Sequence, residues 1–466
     1  MADKSLSKAE VQHERLIDKL RKEVKRLLES AAIGGEAGIS PIKSLAMAVE
    51  DCSPLDWLRS QNANRKVYWS DRSAKFETAG IGAADWIDES THPDEHDGLK
   101  IIQDNLVASN DGVRYYGGFR FDNSSASDND WRPFGKYFFV VPRFEMYRSS
   151  GRSWLVCNLF FKNDRNNPED VLREFNKLSY VRPSENNDLQ TLVSRTDSPD
   201  KTRFRDMIKS AMESFSRQQF EKIVLAKKAD LEFDNAIDRL LLMHKLKRET
   251  SDCFHFYLQP TSDTAFMGAT PERLYHRNGK RIQCDAIAGT RPRGDSEHED
   301  QRMGEELLSS EKDRREHRFV VDSITEALSA KCDVTIHPAD DPPTLLKLER
   351  VQHLYTRIEC TLNNTVTDAQ FVAALHPTAA VGGYPRAGIV DEIRRLEQFD
   401  RGWYAAPVGW ISKNTAEFAV AIRSALARKN HLCLYAGAGI LNGSNAAAEW
   451  EEIENKMRNF LKLVRQ

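Results

Sequence analysis

The chain has 466 residues, 40% hydrophobic and 29% charged, which excludes collagen-like, mucin-like and wholly disordered classes. Lys plus Arg number 67 against 70 Asp plus Glu, a net charge of −3 that leaves no general pull on nucleic acid. No stretch approaches the roughly 20 apolar residues of a membrane helix, so neither a nucleic-acid nor a membrane partner is expected.

The N-terminal segment has no apolar core and carries acidic residues, against a secretory or mitochondrial leader. Residues 5–30 read as an amphipathic helix, with Leu16, Leu20, Val24, Leu27 and Leu28 three or four apart. Ser7 with Glu10 offers a capping box, and Gly34 and Gly35 end the helix. The helix docks on its own domain or serves a partner, and we set it apart as residues 1–35. Residues 36–466 read as one α+β domain, with a divergent half at 36–200 and a motif-rich half at 201–466.

Strand-like runs fill 110–162, and the polar stretch 182–202 reads as a linker. Beyond it the pattern predicts a helix at 203–217, a strand at 221–233 and a helix at 236–249. Strands at 253–259 and 265–269 precede a hairpin over 274–286, turned by Asn278-Gly279. One long helix is predicted at 301–330. Strands at 351–361, 403–411, 416–426 and 431–436 alternate with helices at 367–375 and 386–399, before a last helix at 446–463. Clustered strands separated by long helices indicate α+β. Cys52, Cys157, Cys253, Cys284, Cys332, Cys360 and Cys433 stand singly, which points to a reducing cytoplasm without a disulfide framework or zinc ribbon.

Some residue patterns carry chemistry. Asp313 with Glu316, and Glu449 with Glu452, are three apart on predicted helices and so share a face. Facing helices would gather four carboxylates, a hard oxygen site suited to Mg²⁺. Otherwise they are solvated faces held by pairs such as Lys312–Glu316 and Glu452–Lys456. Gly437 and Gly439 stand between a strand and a turn, where backbone N–H groups approach an anion or simply make a tight turn. Arg423 interrupts an apolar strand and calls for a bidentate carboxylate, a ligand's or a buried acid's. Lys222 opens the apolar run IVLA, as a desolvated base or an exposed strand end. Glu272 follows a proline at a strand-to-turn junction, as a protonated acid or a surface residue.

Taken in order, ten runs resemble the chorismate-utilising enzyme family. They are KIVLAKKADL (222–231), FMGATPERL (266–274), IAGTRPRG (287–294), SSEKDRREH (309–317), VQHLYTRIE (351–359), LHPTAAVGGYPR (375–386), WYAAPVGW (403–410), FAVAIRSAL (418–426), YAGAGI (435–440) and EWEEIENKM (449–457). The resemblance implies an anthranilate-synthase-like α+β fold: two large packed antiparallel sheets with outer helices, holding chorismate and Mg²⁺ in a deep cleft. It implies Glu316 and Glu449 as main metal ligands with Asp313 and Glu452 beside them. Arg423, Lys456 and the Gly437/Gly439 backbone would hold carboxylates, and Thr290, His353 and Tyr404 would line the pocket.

Lys222 marks the water-using members, which need no glutamine amidotransferase partner. The implied activity is therefore Mg²⁺-dependent interconversion of chorismate and isochorismate. Lys222 would be the base for water addition at C2 and Glu272 the acid for loss of the C4 hydroxyl. The segments GGYPR and DRGWYAAPVGW look most like the menaquinone-pathway form. Salicylate synthases, siderophore-pathway isochorismate synthases and, further off, ammonia-using synthases are the rivals.

Overall fold

The computed structural model describes residues 8–33, 41–125, 127–181, 190–329, 337–338, 343–362 and 367–464. Its frame is two antiparallel sheets, of twelve and ten strands among the described residues. Both draw on both halves of the chain. The larger runs from Ile42–Val49 through Lys66–Ser70 to Phe254–Thr261, Thr264–Thr270, Ser424–Arg428, His431–Leu441 and Lys222–Phe233. The smaller runs from Val351–Thr361 through Arg281–Pro292, Arg273–Asn278, Thr415–Val420 and Pro407–Ser412 to Arg114–Phe119 and Tyr137–Val141. The fold is α+β, as expected, with helices against the sheets.

Side chains alternate across each strand, so one face of each sheet is free to bury apolar groups against the other. Phe76 of the larger sheet meets Trp410 of the smaller at a ring separation of 5.7 Å. Tyr116 crosses the same interface, its hydroxyl donating to Glu145 at 2.6 Å. The helix Lys8–Ile33 buries Leu20, Val24 and Leu28 in the same core, packed on the strand Ile42–Val49. Ser7, Gly34 and Gly35 lie outside the described residues.

Local chemistry sets the element ends and alters several sequence expectations. The hairpin turns at Gly279, whose φ of 58° suits glycine. The long helix at 301–330 is two helices, Glu297–Ser309 and Glu311–Ser329. Ser310 stands extended between them, and its hydroxyl accepts from the Asp313 N–H at 3.3 Å, capping the second. The linker 182–202 holds the strand Leu192–Ser198, paired along Lys222–Phe233, and its stretch 182–189 lies outside the described residues. The strand expected at 403–411 begins only at Pro407.

The largest departure is at 416–426, which is not one strand. Thr415–Val420 belongs to the smaller sheet and Ser424–Arg428 to the larger. The chain switches sheets through Ala421–Arg423, with Arg423 at a φ of 50°. A second switch lies beside it, where Thr264–Thr270 of the larger sheet passes through Pro271 and Glu272 into Arg273–Asn278 of the smaller. The two switches are stitched together, Val420 N–H to Glu272 O at 3.0 Å and Ala269 N–H to Arg423 O at 3.2 Å.

Candidate active site

A cavity of about 220 Å³ opens beside this double crossover. Every residue singled out from the sequence lines it: Lys222, Glu272, Thr290, Asp313, Glu316, His353, Tyr404, Arg423, Gly437, Gly439, Glu449, Glu452 and Lys456. The crossover supplies Glu272 and Arg423 from adjacent backbone. Glu272 is not a surface turn residue; only 4% of it is exposed. Burial pushes its carboxyl up to about 8, against the lowering pull of Lys222, so it carries a proton at neutral pH.

Arg423 interrupts no strand, and its nearest polar partner is not a carboxylate. Its guanidinium donates to His353 Nε2 at 3.0 Å. Burial lowers His353 to about 3, and Arg423 lowers it further, so the ring is neutral. With Nε2 accepting, Nδ1 carries the hydrogen and donates to Gly289 O at 3.1 Å, with Thr290 Oγ1 at 3.0 Å. Burial also lowers Arg423 itself. A desolvated guanidinium with a neutral neighbour is ready for an anion entering the cavity.

Gly437 and Gly439 do not form a turn. Both lie inside the strand His431–Leu441, opposite Ala226 and Val224. What they provide is missing side-chain volume. A Cβ on Gly439 would sit 2.3 Å from Glu316 Oε1 and 3.1 Å from Lys222 Cε. On Gly437 it would sit 3.2 Å from the Tyr404 hydroxyl oxygen. Tyr404 is itself held flat against Tyr435, with ring centroids 5.4 Å apart.

Lys222 is fully buried, contrary to an exposed strand end. Its Nζ lies 3.0 Å from Glu316 Oε1, without the angles of a hydrogen bond. The backbone around it is braced from the far side by a buried pair, Arg401 and Glu397. Arg401 donates to Val224 O at 2.8 Å, and Glu397 accepts from the Ala226 N–H at 2.7 Å. This brace escaped sequence reading; its only signal was an acid and a base four apart beyond a helix face.

The two acidic pairs come from helices on different sheets. Glu311–Ser329 packs on Arg281–Pro292 and Val351–Thr361, and Ala446–Leu463 on His431–Leu441. Asp313 and Glu449 sit in first helical turns, where the helix dipole favours negative charge. Asn445 caps the second helix through the N–H groups of Ala447 and Ala448. Each carboxylate meets a basic side chain: Glu316 with Lys222, Glu449 with Lys312 at 3.1 Å, Glu452 with Lys456 at 2.7 Å and Asp313 with Arg291 at 2.7 Å. The Lys312–Glu316 pair is thus replaced by Lys312–Glu449, a bridge between the helices. Arg291 was overlooked although it lies within IAGTRPRG. Lys456 also donates to Gly437 O at 2.9 Å.

Four carboxylate groups with no thiol or imidazole among them match a hard cation such as Mg²⁺. They are engaged by cations rather than converged, and no group of three or more His, Cys, Asp or Glu among the described residues is gathered for a metal. Burial, reinforced by Glu452, raises Glu449 despite Lys312. That is the strain expected of acids crowded in a closed site.

Residues 26–465 match the family described as "Chorismate binding enzyme". Isochorismate synthase 2, chloroplastic, of Arabidopsis thaliana is 35% identical over 395 residues, covering 82% of this chain and 70% of its own. The solved structure of MenF, the menaquinone-specific isochorismate synthase from Escherichia coli, superposes with a TM-score of 0.82 at 29% identity, covering 96% of this chain and 99% of that one. Anthranilate synthase component I from Streptococcus pneumoniae shares the fold, with a TM-score of 0.65 at 18% identity over 90% of this chain and 92% of its own. The sequence match spans both sheets and both acidic helices, so the likeness is not confined to one motif, and the chain belongs to the chorismate binding enzymes.

Proposed function

We propose that the protein is an isochorismate synthase, an isomerase that interconverts chorismate and isochorismate with Mg²⁺, acting in menaquinone formation. The observation that carries this reading is a buried amine and a buried protonated carboxyl in one cavity, Lys222 and Glu272. Similarity to isochorismate synthases from a plant and a bacterium supports it, and the menaquinone role rests on the likeness to MenF.

The reaction exchanges one hydroxyl for another, so it needs a base for the incoming water and an acid for the departing group. Lys222 Nζ accepts the proton of water as its oxygen bonds to C2. Glu272 donates its proton as the C4–O bond breaks, and the two conjugated double bonds shift round the ring, from C1=C2 and C5=C6 to C6=C1 and C4=C5. Arg423, oriented through neutral His353, binds one substrate carboxylate, and Lys456 borders the same space. Tyr404 closes the wall at Gly437. Glu316, Glu449, Glu452 and Asp313 would hold Mg²⁺, which when bound neutralises a ligand carboxylate and draws charge from the ring. Lys312, Lys456 and Arg291 must then move aside, while Lys222 stays as the neutral base.

We also infer that residues 36–466 form one domain and that no amidotransferase is required. We place the protein in the cytoplasm; among the described residues no helix is long and apolar enough to cross a membrane. The deciding experiment is chromatography of the product from chorismate, purified protein and Mg²⁺, with and without ammonium. Isochorismate alone is expected. Salicylate, anthranilate or aminodeoxychorismate would assign the chain to a rival branch.

A further inference from the structure

A roomier cavity than that of the candidate active site lies elsewhere. About 630 Å³ lies between the helices Pro54–Ser60 and Arg239–Glu249 and the ends of the strands Lys66–Ser70 and Phe254–Thr261. It shares no lining residue with the catalytic cavity. Its volume lies within the range of about 300–1,000 Å³ usual for small-molecule sites.

The charge on its walls is unbalanced. Arg59, Lys66, Arg239 and Arg248 line it, and none of them forms an ion pair with a carboxylate among the described residues. Two acids share the wall with these four cations. Asp56 faces His244 at 3.6 Å, and Asp238 caps its helix by accepting from the Leu241 N–H at 2.9 Å. Lys66 is only 8% exposed, and its Nζ reaches carbonyl oxygens alone, Gln61 O at 2.5 Å and Leu58 O at 3.4 Å. Arg239 likewise donates to the carbonyls of Ser262 and Asp263. Nη2 of Arg59 is buried with no hydrogen-bond partner.

Buried cations in folded proteins are normally paired, because an uncompensated charge is costly to desolvate. Lys66 is the buried one of the four, and burial, with Arg239 beside it, lowers it to about 8 against the raising pull of Asp238. The cations are mounted on rigid elements, with Lys66 opposite Gln259 in the strand register. Ile237, Leu240 and Tyr257 supply an apolar wall on the same space.

We propose that this cavity binds a small organic anion with at least two negative charges, its acidic oxygens held by Arg59, Lys66, Arg239 and Arg248 and its carbon body against Ile237 and Leu240. The acidic groups are carboxylates or phosphates, which share this recognition chemistry. The proposal does not depend on the reaction catalysed in the other cavity.

Calorimetric titration of the full chain with citrate, and separately with inorganic pyrophosphate, in Mg²⁺-free buffer tests it. Saturable binding of either probe is expected, the responding probe telling carboxylate from phosphate. Arg59→Gln/Arg248→Gln should weaken it by about 10-fold or more per guanidinium, the usual value of a charged hydrogen bond. Arg423→Gln, in the catalytic cavity, should leave it unchanged. Arg248 is exposed, so Arg248→Gln alone serves if the double variant loses its circular dichroism spectrum. No saturable binding of either probe at millimolar concentration overturns the proposal. So does undiminished affinity in the Arg248 variants, or loss of binding in Arg423→Gln.

Discussion

Two cavities of this molecule differ in how their charges are matched, and the difference says more than their sizes. In the smaller, Glu316, Glu449, Glu452 and Asp313 each stand beside a basic side chain, while Glu272 and Arg423 stand apart from that scheme. In the larger, none of four cations is ion-paired to a carboxylate among the described residues, and only two acids, Asp56 and Asp238, share their wall. Balanced pairs tolerate a closed space and can be exchanged for a metal and a dianion without changing the net charge much. Unbalanced cations leave the balance to whatever enters. Volume alone would have pointed away from the cavity lined by the residues singled out from the sequence.

The largest expected effect sharpens the catalytic side of this contrast. Lys222→Ala removes the proposed base and should lower turnover by about 10² to 10⁴-fold with the carboxylate holders left in place. The measurement is isochorismate formed per minute by chromatography, with KM followed alongside. A folded variant with near-normal turnover would return Lys222 to a structural role.

Glu272→Gln should cost a comparable factor and also change the pH profile. Glu272 must be protonated to act as the acid, and its carboxyl titrates at about 8. The forward rate should therefore fall as pH rises through about 8, because the carboxyl loses its proton there. Turnover followed from neutral to alkaline pH should show this limb in the wild type and not in the glutamine variant. Retention of the limb would assign it to another group.

Gly439→Ala tests whether the strand glycine is there for space. Its Cβ would collide with Glu316 Oε1, so Glu316 and Lys222 must shift. A displacement of that kind typically costs about 10²-fold in rate. Glu449→Gln should next raise the Mg²⁺ concentration needed for half-maximal turnover by about 10-fold or more, since a hard cation loses an anionic oxygen. Unchanged Mg²⁺ dependence would remove Glu449 from the metal site. The smallest effect belongs to the other cavity: Arg59→Gln/Arg248→Gln should leave turnover within about twofold, as expected of distant sites that share no partner. A larger loss would show that the two cavities are coupled through the helix Arg239–Glu249, which packs against the helix bearing Glu449.

The residue patterns by themselves determined the α+β class and most element positions and singled out the acid pairs, Lys222, Glu272 and Arg423, while Thr290, His353, Tyr404 and Lys456 entered the site only through the family resemblance. Amphipathic spacing located the buried face of Leu20, Val24 and Leu28, and Asn278-Gly279 located a hairpin, because these depend on neighbours along the chain. The acid pairs were legible since residues three apart on a helix share a face wherever the helix goes. Sheet membership is different. Nothing local distinguishes one strand over 416–426 from two strands in different sheets, and that switch is what brings Arg423 beside Glu272. The use of Gly437 and Gly439 as gaps for Tyr404 and Glu316, the pairing of Lys312 with Glu449, and the unpaired cations of the larger cavity likewise depend on partners distant in the chain. Only the packing of the two sheets decides which charges lose water and which find a counter-charge, and desolvation is what raises Glu272 and lowers His353 and Lys66.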